Sequence, residues 1–152
     1  MITRPTTDVL IEDCCRELME AILPGLTDET LKLRLVMTET VLRNAAVRAA
    51  HEIAWMREET AALLAYAAQV AARHGSEPLR AALTDAQAGP VDSLHLADMA
   101  GRYERAGQAF AAALAAAQEA GDADLVAQAR ELLGERIATE KEVMASYAVV
   151  GR

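Results

Sequence analysis

The sequence predicts an all-α fold: an antiparallel helical bundle whose second helix is unusually long. Three observations lead there. Ala and Leu supply most of the 53% apolar content, while aromatics make up only 3%; both residues are strong helix formers. Eight Gly and four Pro are too few for a turn-rich sandwich or barrel. From Asp28 to His74 the chain contains neither Pro nor Gly, so nothing breaks a helix across that stretch. With 152 residues, a single helical-bundle domain over 1–152 is expected.

The elements follow in order. Thr6 or Thr7 caps a first helix and Asp8 suits the positive end of its dipole. Its apolar face runs through Ile11, Cys14 or Cys15, Leu18 and Ile22, and Pro24-Gly25 ends it. Thr27, Asp28 and Glu29 open the second helix. Leu31, Leu42, Ile53 and Leu64 recur every eleven residues, the period of a nearly straight helix. Unbroken, this segment is a rod of about 70 Å; a bend near Glu58-Glu59-Thr60 is the alternative. His74-Gly75-Ser76 stops it and caps a third helix reaching about Gln87, closed by Gly89-Pro90. Asp92 or Ser93 caps a fourth helix to about Ala120. Its seam is Leu96, Met99, Tyr103, Ala106, Phe110, Ala113 and Ala117, alternating threes and fours as in a short coiled coil. Gly121-Asp122 breaks the chain again. The last helix is expected from Ala123 to Ala148, on a stripe of Val126, Ala129, Leu133, Ile137, Met144 and Tyr147.

Charge and cysteine usage narrow the function. Fifteen Lys and Arg face 23 Asp and Glu, a net charge of −8. Nucleic-acid binding relies on clustered cations, so no nucleic-acid partner is expected. Adjacent Cys14 and Cys15 cannot readily bridge within a helix and have no metal-ligand spacing; a buried cysteine acting as a small apolar residue is the expectation. No uninterrupted run of about 18 apolar residues exists, so no membrane span is expected. The N-terminus has no apolar core of signal-peptide length. Together these point to a cytoplasmic location.

The most distinctive chemistry lies on the long helix. Met37, Val41, Arg48, Glu52, Trp55, Glu59 and Tyr66 form a second stripe, about 100° from the leucine stripe. An arginine, two carboxylates and the only Trp make Arg48, Glu52, Trp55 and Glu59 candidate ligand-binding residues. The plainer alternative is a buried structural ion pair between Arg48 and Glu52, and this is the expected outcome. No catalytic set is recognisable: there is no nucleophile elbow and no Gly-rich phosphate loop. A di-iron bundle needs Glu-x-x-His on facing helices; position 48 is Arg and position 71 is Ala, so His51 and His74 lack it. No metal and no cofactor are expected.

The first sixty residues carry a resemblance. Arg4-Pro5-Thr6 followed by Leu10, then Ile22-Leu23-Pro24-Gly25-Leu26, then Val41-Leu42-Arg43-Asn44-Ala45-Ala46 and Glu52 resemble a bacterial all-helical domain-of-unknown-function family. Its members are encoded near acyl-CoA dehydrogenases and aminoglycoside-phosphotransferase-like kinases. The resemblance implies a helical accessory protein of bacterial origin and carries over no catalytic residue.

The favoured expectation is a non-enzymatic bundle that self-associates or serves a partner enzyme. Around Asn44–Ala72 the long helix is apolar on most sides, and such a helix is normally buried, so a homodimer using the long helices is expected. The alternatives are a small-molecule binder or enzyme using the polar strip, and a dimeric helical DNA-binding regulator.

Overall fold

The computed structural model describes residues 4–88 and 92–144. It is all-α: 87% of the described residues are helical, with no strand among them. The helices are α1 (Thr7–Glu17), α2 (Glu29–His74), α3 (Glu77–Ala86), α4 (Leu96–Glu119) and α5 (Ala123–Met144). A π-helical turn, Leu18–Ile22, and a 3-10 turn, Leu23–Gly25, lie between α1 and α2. The described residues fall into two compact units, divided in the chain between Glu52 and Ile53 and between Ala138 and Thr139.

In the unit holding residues 4–52, α2 starts as expected. Asp28 Oδ1 accepts from the backbone N–H groups of Thr30 (2.7 Å) and Leu31 (3.3 Å), satisfying donors that a helix start leaves open. α2 then runs 46 residues as one helix, so the chain does not split into two helices near Glu58-Glu59-Thr60. The interior of this unit is small and partly polar. Cys15 and Ala46 are buried together with Glu39, Thr40 and Asn44. Burying such groups requires partners. Thr40 Oγ1 donates to the Val36 carbonyl and Glu39 is paired with Arg43. Cys15 Sγ donates to the Glu39 carbonyl at 3.8 Å.

Residues 53–138 build a conventional core. Leu63, Tyr66, Ala67 and Val70 of α2 meet Leu79 and Ala86 of α3, Ala106, Ala109, Phe110, Ala113, Ala116 and Ala117 of α4, and Leu125 and Ala129 of α5. The Tyr66 and Phe110 rings tilt at 48° with centroids 5.2 Å apart, a favourable aromatic arrangement. Alanine at five of the α4 core positions lets its neighbours come close.

Several expected details are corrected. α3 starts on a Ser76 cap, whose hydroxyl accepts from Leu79 N at 3.4 Å, as the sequence implied. α4 starts at Leu96 rather than after Asp92 or Ser93. Ser93 Oγ accepts from His95 N (3.2 Å) and donates to Asp98 Oδ2 (2.5 Å), a local turn that competes with helix. Leu96 is accordingly 52% exposed, while Met99 through Ala117 of the expected seam pack inward. On α5 the buried face is turned toward Leu125, Ala129 and Leu132; Leu133 and Ile137 are exposed. Gly121 has φ +67°, a left-handed turn that suits glycine. The expected stop at Gly89-Pro90, and the Tyr147 and Ala148 end of the last helix, lie outside the described residues.

Candidate functional site

The four candidate residues divide between the two units. In residues 4–52, Arg48 and Glu52 stand one helical turn apart and form an i,i+4 ion pair. The Arg48 side chain is 59% exposed and that of Glu52 25%. The expected buried ion pair is therefore corrected: this is a surface pair. Its cause is local, since Met37 and Val41 on the same stripe are also exposed. The guanidinium and carboxylate satisfy each other, which removes the uncompensated charge that a ligand would otherwise meet.

In residues 53–138, Trp55 is half-buried. Glu59 lies 3.7 Å from Arg136 Nε of α5. The same guanidinium sits over the Tyr103 ring, 5.7 Å from its centroid, within cation–π range. Glu59 thus belongs to an α2–α5–α4 latch. Sequence reading missed it because Glu59 and Arg136 are far apart in the chain and no local spacing joins them.

A second cluster was missed for the same reason. At the end of α2, His74 Nε2 lies 2.9 Å from Asp122 Oδ2, and Arg73 lies 3.6 Å from the same oxygen. Asp122 Oδ1 accepts from Leu125 N at 3.1 Å, capping α5. The His74 hydrogen bond, then the Leu125 N–H, hold the Asp122 carboxyl below its ordinary range. Nearby, the Tyr66 hydroxyl donates to the Leu125 carbonyl at 3.1 Å; burial, then the Asp122 charge, push the phenol up. Each of these groups is used in joining helices, which is a structural task.

Two further features lie outside these clusters. A groove of about 560 Å³ is lined by Leu23, Pro24, Glu29, Lys32, Leu33 and Val36. It is apolar apart from the Lys32–Glu29 pair at 2.6 Å, and none of the four candidate residues lines it. Cys14 is exposed and Cys15 buried, both free. Burial, reinforced by Glu39, raises the Cys15 thiol, the opposite of what a nucleophile needs.

Among the described residues no group of three or more His, Cys, Asp or Glu side chains is arranged to hold a metal ion. No helix among them is long and apolar enough to cross a membrane. Comparison with family models, curated proteins and solved structures finds no match to this chain.

Proposed function

We propose that this chain is a non-enzymatic, cytoplasmic helical protein that works by association, first with a second copy of itself. One observation carries the reading. Of the eleven large apolar side chains left exposed among the described residues, seven lie before Ile53, in the unit that also takes in the chain from Thr139: Val9, Leu10, Ile22, Leu31, Leu33, Met37 and Val41. Scattered single exposures are ordinary. Here they fall on α1, the π-helical turn and the start of α2, in a unit whose buried set among the described residues is small and partly polar, and that concentration supports the reading of an interaction surface. Docking on a partner enzyme is the second form of the same reading. It draws on the resemblance of the first sixty residues to helical proteins encoded beside acyl-CoA dehydrogenases and kinase-like proteins.

Sedimentation velocity at tens of micromolar tests the proposal. A species of twice 16.3 kDa is expected. A sharp boundary at the monomer mass would remove the self-association reading.

A further inference from the structure

We propose that two copies pair through the outer face of α2 between Arg34 and Glu52, antiparallel and two-fold symmetric, with Arg34 of each copy against Glu52 of the other. The inference rests on the self-association reading and names its surface.

The face is defined by spacing and exposure together. Arg34, Thr38, Val41, Ala45, Arg48 and Glu52 are separated by four, three, four, three and four residues, the alternation of a two-helix seam. On a helix they fall within a sector of about 80°. Arg34, Thr38, Val41 and Arg48 are exposed, and Ala45 and Glu52 half-buried. Met37 flanks the seam at 56% exposure. This is a helix face with an apolar middle, and the described residues leave it open.

Charge order selects what covers it. In a parallel, in-register pair, Arg34, Arg48 and Glu52 would each stack on their own copies, giving three like-charge layers, which are costly. In an antiparallel two-fold pair, residue i meets j and j meets i. One register engages all six seam residues: Arg34 with Glu52, Thr38 with Arg48, and Val41 with Ala45. A heptad shift either way engages only four of them and loses the Arg34–Glu52 match. In the full register the apolar middle is continuous. Each end then holds one Glu52 carboxylate between the Arg48 of its own copy and the Arg34 of the other. Arg34 has no ion-pair partner among the described residues, so its guanidinium is available for this role.

The test is a charge swap read by sedimentation equilibrium on the full chain. Arg34→Glu sets Glu against Glu52 of the partner copy, twice per dimer by symmetry. It should raise the dimer dissociation constant about tenfold or more. Glu52→Arg should do the same. The double variant Arg34→Glu/Glu52→Arg restores opposite charges at both ends and should return the constant to within about threefold of the parent. Val41→Glu, at the apolar centre, should leave only monomer. Circular dichroism confirms that each variant keeps its helix, and recovery in the double variant shows that the single losses are not misfolding. A monomeric parent removes the self-association reading itself. A dimeric parent indifferent to all four variants keeps self-association and overturns this surface.

Discussion

The two units solve the burial problem differently with much the same residues. Residues 53–138 hide Leu63, Tyr66, Val70, Leu79, Phe110 and Leu125 in one continuous core. Residues before Ile53 bury Cys15 and Ala46 alongside Glu39, Thr40 and Asn44, and leave Leu10, Leu31, Leu33, Met37 and Val41 exposed. The difference is one of partners. The later stretch of α2 has α3, α4 and α5 to pack against, and its apolar side chains are consumed there. The earlier stretch keeps apolar surface in reserve. One unit therefore buries its large apolar side chains, and the other leaves many of them exposed.

The largest effect should come from the core of the second unit. Leu79 is fully buried, so Leu79→Ala removes transfer energy and leaves a cavity. A loss of about 2–5 kcal/mol is expected. Val41→Ala, at 53% exposure, should change stability by only about 0.5 kcal/mol or less in a monomer. Urea unfolding followed by circular dichroism compares them. If the two variants cost the same, the contrast between a packed unit and an open one fails.

Much of this contrast was hidden from the sequence, and the reason is alanine. The breaks were legible because Pro24-Gly25, Gly75-Ser76 and Gly121 act locally on the backbone. The α4 seam was legible because Met99, Tyr103 and Phe110 are large and stand among small residues. On α2 the large members of the expected core stripe, Leu31, Leu42, Ile53 and Leu64, are none of them fully buried; only its small members Ala46 and Ala67 are. The large buried side chains are instead Leu63, Tyr66 and Val70. A helix rich in Ala is apolar nearly all round, so its pattern cannot choose a face; its neighbours choose it. The candidate site shows the same division. Arg48–Glu52 was legible as an i,i+4 pair, whereas Glu59–Arg136 and His74–Asp122 join distant segments that no local rule connects.

A smaller effect sharpens the comparison through pH. Asp122 fastens the end of α2 to the start of α5 in the well-packed unit, and His74, the Leu125 N–H and Arg73 hold its carboxyl below the ordinary range. A carboxyl lowered on folding contributes stability that is fully present above its unfolded value of about 3.9. That contribution is lost as pH falls through the lower folded value. Asp122→Asn keeps an oxygen able to cap Leu125 N but removes the charge. The variant should melt below the parent at neutral pH, with the gap closing as pH falls below the ordinary carboxylate range. Thermal melts across that range check it; a gap that stays constant with pH would show that the charge contributes nothing.

The smallest effect concerns Arg48 and Glu52, and it separates a surface pair from a structural one. Their side chains are 59% and 25% exposed, so water screens the attraction and both charges remain hydrated when one partner is removed. Exposed i,i+4 pairs contribute about 0.3–0.5 kcal/mol. Removing a partner from a buried pair instead costs about 3–5 kcal/mol, because the survivor is stranded. The single Ala variants also alter intrinsic helix propensity, so only the coupling from a double-mutant cycle isolates the pair. The cycle is best run in the Val41→Glu background, which is expected to leave only monomer and so reports the intramolecular pair alone. A coupling of about 0.5 kcal/mol or less is expected, falling as salt is raised. A coupling of several kcal/mol, unmoved by salt, would mean that Arg48 and Glu52 are shielded from water. The outer face of α2 would then be covered within a single copy, leaving no open seam there for a second one.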